Sequence, residues 1–264
     1  MPELPEVETI RRDLAKFVLH ERILSVQVRD KRILKGLKPG ILIGKEIVEV
    51  QRRGKAVIFC LKPNGYWVVQ PKMTGQLIYG QDNEKSKLTF RLSNGAHLNY
   101  NDQRLFGKLT FVRELNEMDF LRTLGPEPLA EEFTGEWLAG RMKKRTTSIK
   151  AFLLNQNFVA GIGNIYASEI LFRSGIKPQK QAGSLKMREI QTLHQQTIEV
   201  LAEAIKLRGT SMNTYLDASG QKGGFMKRIK VYGREHEPCP ICQTPITRIL
   251  QNGRSSFFCK RCQR

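Results

Sequence analysis

The chain opens Met1-Pro2-Glu3-Leu4-Pro5-Glu6. Proline is a small second residue, so removal of Met1 is expected, leaving Pro2 as a free secondary amine. Such an α-amino group has a pKa of about 8, so part of it is neutral and nucleophilic near neutral pH. A secondary amine condenses with a sugar aldehyde carbon to give an iminium ion, which is an electron sink. Glu3 and Glu6 lie within one helical turn of that amine. The same residues also read as an ordinary helix start, since proline and acidic side chains favour a first turn on geometric and dipole grounds.

Working outward, Val7, Ile10, Leu14, Phe17 and Val18 have helical spacing, with Arg11, Arg12 and Lys16 on other faces. From about residue 22 to 115 the pattern changes to short strand-like runs, such as Leu24–Val28, Glu46–Val50, Ala56–Cys60, Tyr66–Val69 and Leu88–Leu92. Turn signals separate them, among them Lys38-Pro39-Gly40, Lys62-Pro63-Asn64-Gly65 and Asn94-Gly95. This predicts a mostly antiparallel β-sandwich or flattened barrel with the first helix against it. Leu124-Gly125-Pro126-Glu127-Pro128 reads as a domain end and linker. Helical spacing returns over 134–207, with a helix ending near Asn157 and another opening at a glycine-flanked turn. Residues 209–227, rich in Gly, Ser, Asp and Lys, predict a mobile loop, and 228–264 a small separate module. The expected fold class is α+β and multidomain, with divisions at 2–128, 129–227 and 228–264.

The chain has 264 residues, and 40% of them are hydrophobic, enough for two modest domains with real cores. Lys and Arg number 44 against 25 Asp and Glu, a formal net charge of +19. A balance this basic implies a polyanionic partner, nucleic acid first. A membrane is the weaker fit, because no long uncharged apolar run is present. No signal peptide precedes the acidic N-terminus, so a cytoplasmic protein is expected.

Cys239-x-x-Cys242 and Cys259-x-x-Cys262, sixteen residues apart, fit a four-thiolate zinc site. The interval allows a β-hairpin turning near Gly253. So short a tail has too little core to fold alone, so metal binding should supply its folding energy. Sulfur fills every ligand position, which predicts a single structural zinc and no catalytic one. His236 reads as solvated, and Cys60 as buried packing.

Two further stretches carry candidate contacts. Gly161-Ile162-Gly163-Asn164 places Asn164 at a helix cap, where backbone N–H groups bind phosphate; the same turn also reads as a plain helix–loop–helix corner. Met73, in a turn after a strand, and Arg104 and Phe106, in Asn101–Gly107, have the make-up of a DNA wedge. Taken singly, Met73 and Phe106 also read as core residues.

In combination and in order, Pro2–Glu6, the Gly161–Ala167 turn and the four-cysteine finger closely resemble the bacterial formamidopyrimidine-DNA glycosylase (Fpg/MutM) family over essentially the whole length. Leu4 is similar to this family, and not to its endonuclease VIII relatives, which usually carry Gly there. The resemblance implies an N-terminal β-sandwich, a C-terminal helix–two-turns–helix domain with a zinc finger, and double-stranded DNA with oxidised bases or abasic sites as the partner. It implies Pro2 as nucleophile at C1′ of the damaged nucleotide, Glu3 as general acid, Glu6 as support beside Pro2, and Lys55 as the grip on a phosphate next to the lesion. Met73, Arg104 and Phe106 would fill the gap left by the flipped base, Lys150 and Asn164 would hold the DNA backbone, and Arg254 would clamp another phosphate. The Ser219–Phe225 loop would close over the extruded base. The implied reaction removes the base and then breaks the strand by β,δ-elimination. One chain holds the whole set, so a monomer is expected.

Three departures from the family pattern stand out. Gln70 takes the place of a usual His, Leu105 the place of the second Arg in an Arg-Arg-Phe run, and Asp82–Lys87 lacks a His-containing stretch. They keep a second substrate class open, oxidised pyrimidines or hydantoins. A non-catalytic damaged-DNA-binding protein is a third reading, which leaves the first six residues unexplained, as does a generic basic zinc-ribbon protein.

Overall fold

The computed structural model describes residues 2–212 and 214–264; Met1, whose removal is expected, and Asn213 lie outside them. The chain forms two compact units, Met1–Arg122 with Ile205–Met226, and Thr123–Ala204 with Lys227–Arg264.

In the first unit, α1 (Leu4–Phe17) buries Val7, Ile10 and Leu14 completely, the stripe that the sequence spacing predicts. Eight strands follow: β1 (Ile23–Val28), β2 (Glu46–Arg53), β3 (Ala56–Lys62), β4 (Tyr66–Gln70), β5 (Gly75–Gly80), β6 (Leu88–Leu92), β7 (His97–Asp102) and β8 (Lys108–Val112). They form two four-stranded antiparallel sheets, in the orders β1-β6-β7-β5 and β2-β3-β4-β8. Phe59 of β3 stacks on Trp67 of β4 at 4.5 Å, and Trp67 meets Phe90 of β6 at 4.5 Å, so an aromatic column joins the sheets into a sandwich. The run Ala56–Cys60 does not alternate because both faces of β3 are covered. Val57, Phe59 and Leu61 face the core shared by the sheets. Ala56 and Ile58 join Val68 and Val112 under Leu115, Met118, Phe120 and Leu121, the last two on the short α2 (Asp119–Arg122).

The second unit holds α3 (Gly135–Met142), α4 (Ile149–Leu154), α5 (Asn164–Arg173), most of α6 (Met187–Lys206), and the hairpin of β9 (Thr247–Gln251) and β10 (Arg254–Phe258). Thr134 and Ser148 cap α3 and α4 through their hydroxyls. The α4 helix stops at Leu154, three residues before the expected end. Gly163, not Asn164, is the cap of α5, because the Asn164 side chain is drawn away to the Ser255 carbonyl. Glu169 of α5 is fully buried and accepts the N–H groups of Lys230, Val231 and Tyr232 at 2.8, 3.0 and 2.8 Å, which fastens the chain entering the finger to that helix. Burial pushes its carboxyl up in pKa, and the three N–H groups oppose that shift. Among the described residues, no helix is long and apolar enough to cross a membrane.

Asp102, at the end of β7, fixes two neighbouring loops of the sandwich. It has no exposed surface, and its carboxylate accepts the Thr74 hydroxyl, the Arg104 N–H at 3.3 Å and the Gly107 N–H at 2.7 Å. Gly107 is obligatory because a Cβ there would lie 1.8 Å from the Tyr100 hydroxyl oxygen. A carboxamide in place of this carboxylate cannot accept all three donors, and each buried donor left without an acceptor costs about 1–3 kcal/mol. Asp102→Asn is therefore expected to lower the melting temperature and to speed hydrogen exchange at the Arg104 and Gly107 amides. Unchanged protection at Gly107 would show that the carboxylate does not hold the loop.

Candidate active site and nucleic-acid interface

The first turn of α1 is a capping box. The Glu3 carboxylate accepts the Glu6 N–H, and the Glu6 carboxylate accepts the Glu3 N–H at 2.8 Å. Pro2 is buried, and Glu3 and Glu6 are only 2% and 1% exposed. The Glu6 carboxylate is thus locked against the peptide that follows the Pro2 amine, and the Glu3 carboxylate against the Pro5–Glu6 peptide one turn on. The other oxygen of Glu6 accepts the Thr210 N–H at 2.6 Å. Residues 205–226 belong to the same unit as α1, so the site draws on chain that the sequence reading assigned to a later domain.

Lys55 sits in the β2–β3 turn, half-buried. The base of that turn is tied to α1 through Glu8, which meets Arg11, Arg12 and Arg52 at 2.5, 2.7 and 3.1 Å. Burial pushes the Glu8 carboxyl up, but the hydrogen bonds and charges of these arginines outweigh it and hold the group below the usual carboxylate range. The turn and the N-terminus are therefore fixed to one helix.

Met73, Arg104 and Phe106 come together on the two loops that Asp102 holds. The Arg104 guanidinium lies 4.6 Å from the centre of the Phe106 ring and donates to the Met73 sulfur at 3.1 Å. Met73 and Phe106 are 38% and 48% exposed, which removes the core reading and leaves an apolar, cationic prong at the surface. Leu105 has φ +56 and packs half-buried against the sandwich core, so it contributes nothing to the prong. Burial, Lys108 and Lys35 hold the Lys72 ammonium below the usual lysine range, a sign of how closely cations gather here. Gln70 is buried at the end of β4, and Asp82 pairs with Arg29 at 2.8 Å.

In the second unit, Lys150 and Asn164 converge on the finger hairpin. The Lys150 ammonium is buried and donates to the Ser255 carbonyl at 2.9 Å and the Ser256 hydroxyl at 2.8 Å, and the Asn164 amide donates to the Ser255 carbonyl at 3.0 Å. Arg254, the adjacent residue, is exposed beside the Asn252-Gly253 turn. Gln156 stitches the preceding glycine turn by accepting the Gly161 N–H and donating to the Ile162 carbonyl, both at 2.9 Å. Sequence reasoning missed Thr210, Asp102 and Gln156. Only Gln156 had a signal, an amide side chain just before a double glycine.

The sulfurs of Cys239, Cys242, Cys259 and Cys262 all lie within 4.8 Å of one another, with Cys239–Cys262 at 3.8 Å and Cys242–Cys259 at 3.4 Å. Tetrahedral zinc with bonds of about 2.3 Å holds its sulfurs about 3.8 Å apart, so the four thiolates fit one zinc ion. Backbone N–H groups of Ile241 and Cys262 point at the Cys239 and Cys259 sulfurs at 3.5 Å. His236 is exposed and outside the cluster, and Cys60 is buried beside Glu49 with its thiol pushed up to about 11 by burial and that carboxylate.

Three family models match the chain: the formamidopyrimidine-DNA glycosylase N-terminal domain over residues 1–109, the formamidopyrimidine-DNA glycosylase H2TH domain over 124–215, and the zinc finger found in FPG and IleRS over 237–264. A formamidopyrimidine-DNA glycosylase of Desulfitobacterium hafniense is 42% identical over 273 residues, covering all of both chains. The crystal structure of the MutM (FPG) protein from Thermus thermophilus superposes with a TM-score of 0.91 at 38% identity, covering 99% of this chain and 98% of that one. Lactococcus lactis Fpg in complex with DNA containing an abasic site superposes with a TM-score of 0.90 at 34% identity, covering 99% of each chain. With its β-sandwich, helical domain and zinc-binding finger, the chain belongs to the formamidopyrimidine-DNA glycosylase family.

Proposed function

We propose that this DNA repair glycosylase and abasic-site lyase excises oxidised purines, 8-oxoguanine and formamidopyrimidines, from double-stranded DNA, with Pro2 as its nucleophile. The observation that supports the reading is the buried capping box, in which Glu6 holds the peptide next to the N-terminal amine and Glu3, the residue after Pro2, is itself buried with its carboxylate held by the Glu6 N–H. The Pro2 nitrogen bonds to C1′ as the bond from C1′ to the base breaks. The amine proton passes to the departing base, Glu3 protonates the ring oxygen, and the sugar opens to leave an iminium at C1′. The iminium acidifies C2′; loss of that proton expels the 3′ phosphate, and a second elimination expels the 5′ phosphate. Glu6 holds the Pro2–Glu3 peptide in place.

Lys55 and Arg254 grip phosphates, while Lys150 and Asn164 serve the DNA backbone by holding the hairpin that carries Arg254. Met73, Arg104 and Phe106 fill the gap that the flipped base leaves. By role along the chain, 2–128 carries the catalytic residues, 129–227 the DNA-binding helices and the capping loop, whose 205–226 part packs with the α1 unit, and 228–264 is the zinc finger, whose metal is structural. The protein works as a monomer in the cytoplasm, on DNA. A second reading keeps the chemistry and shifts the substrate to oxidised pyrimidines or hydantoins, favoured by Leu105 lying against the core where a second arginine is usual.

Borohydride trapping on a duplex with one 8-oxoguanine opposite C is expected to give a covalent adduct that Pro2→Gly largely removes. Glu3→Gln should slow base excision by about 100- to 10,000-fold while leaving DNA binding intact. Trapping only on an abasic-site duplex would keep the lyase and refute the purine assignment, and faster excision of an oxidised pyrimidine than of 8-oxoguanine would favour the second reading. Affinity should fall about tenfold or more between 50 and 200 mM salt, the counterion release expected of the two phosphates gripped by Lys55 and Arg254; a flat salt dependence would contradict phosphate gripping. One zinc per chain is expected by elemental analysis, and a chelator should unfold the finger and abolish DNA binding. Full binding by metal-free protein would refute the role given to Arg254.

A further inference from the structure

Ile205–Met226 leaves the end of α6 and folds back onto the unit that contains α1. Its two ends close on each other: the Gly224 N–H donates to the Leu207 carbonyl at 2.8 Å, the Phe225 N–H to the Gly209 carbonyl at 3.0 Å, and Thr210 and Gly224 form an antiparallel bridge. Described residues between them, around Asp217, are pinned inside as well. Asp217 has no exposed surface and accepts Arg208 at 2.6 and 2.8 Å, the Ser219 N–H at 3.0 Å and the Gln221 N–H at 2.8 Å. Arg208 also pairs with Asp13 of α1, and the Ala218 carbonyl accepts the Tyr79 N–H of β5 at 2.8 Å. Ser219 to Lys222 form the exposed tip.

The closure lies against Glu6. The Thr210 N–H sits 2.6 Å from one oxygen of that carboxylate, and the other oxygen holds the Glu3 N–H at 2.8 Å. Gly209 has φ +78, and a Cβ there would lie 2.7 Å from the Glu6 oxygen and 2.9 Å from its Cγ. The spacing between the closed loop base and the N-terminal turn therefore leaves no room for a side chain. We propose that Gly209 and Thr210 are positioning residues that transmit the conformation of the 217–225 segment, through the shared Glu6 carboxylate, to the peptide bearing the Pro2 amine. The loop then acts on bond making at Pro2, beyond its contact with the base. This inference rests on Pro2 being the nucleophile.

The test is single-turnover borohydride trapping on an abasic-site duplex, with affinity measured in parallel on a duplex carrying the unreactive tetrahydrofuran analogue. Adduct formation by the wild-type protein checks the Pro2 reading, and ratios to wild type check this one. Gly209→Ala is expected to slow trapping by about 100-fold, the effect of a displacement of about 1 Å at a reacting centre, with affinity unchanged. Asp217→Asn, which loosens the loop without adding volume, should slow trapping in the same direction. Combining either with Glu6→Gln should slow trapping no further than the worse single substitution, because the residues act as one unit. Wild-type trapping by Gly209→Ala, losses that multiply in the double variants, or an affinity that falls in step with the rate would each overturn the proposal. If Gly209→Ala lacks a cooperative melt, the Asp217→Asn and Glu6→Gln pair decides on the same criteria.

Discussion

A carboxylate removed from water loses several kcal/mol of hydration unless N–H groups replace it. Glu6, 1% exposed, meets that constraint with backbone from two distant places, Glu3 on one side and Thr210 on the other. Neither donor is a side chain, so the bond fixes main chain to main chain. The first unit consequently cannot be a contiguous stretch of sequence: the chain must leave at Arg122 and return at Ile205 to supply Thr210. The edge strand β5 gains from the same return, because the Ala218 carbonyl pairs with the Tyr79 N–H where an edge would otherwise be open.

The device recurs. Asp102, Asp217 and Glu169 are each fully buried, and each collects N–H groups of a segment with no regular structure of its own. Those segments are the prong loop, the tip of the 217–225 segment and the chain entering the finger. In a protein of net charge +19, acidic side chains are thus spent inside as loop anchors, while Lys38, Lys85, Lys143, Lys222 and Arg254 stay exposed. Such a division suits a polyanionic partner. The anchors are insulated from salt, and the exposed cations form the long-range field. Lys150 is the exception, and its burial has the same logic in reverse, a cation holding the carbonyl side of the finger hairpin.

Much of this was legible in the sequence where side chains alone carry the signal. The helical stripe of Val7, Ile10 and Leu14, the strand runs, and the two Cys-x-x-Cys pairs lead directly to α1, the sandwich and the zinc site. What escaped depends on main chain. No residue pattern announces that the Thr210 N–H will meet Glu6, or that Asp102 will accept from Gly107 five residues on. The segment expected to be a mobile loop looked so because its anchors, Arg208 and Asp13, lie 195 residues apart. Asn164 misled for a related reason. Its type favours a cap, but a carbonyl on the finger competes for its amide. At Leu105, burial of an isobutyl side chain accompanies a left-handed backbone that costs a residue with a Cβ about 1–2 kcal/mol. The backbone there turns so that Arg104 and Phe106 face outward together, a geometry the sequence does not display.

The helix-start reading of the first six residues is what the fold displays, and its bonds bear on the role proposed for Pro2. A capping box needs a carboxylate at the cap and another three residues on, each returning to the other's backbone. A nucleophilic amine at Pro2 needs two carboxylates near it and a rigid peptide behind it. The rigid peptide is common to both: the Glu6 carboxylate holds the Glu3 N–H with a bond that the capping box already needs. Helix formation in α1, driven by burial of its apolar stripe, therefore orders the N-terminal peptide as a by-product. Two additions come from elsewhere in the unit: the Thr210 N–H that the Glu6 carboxylate also accepts, and the arginine-clamped Glu8 that ties the Lys55 turn to the same helix.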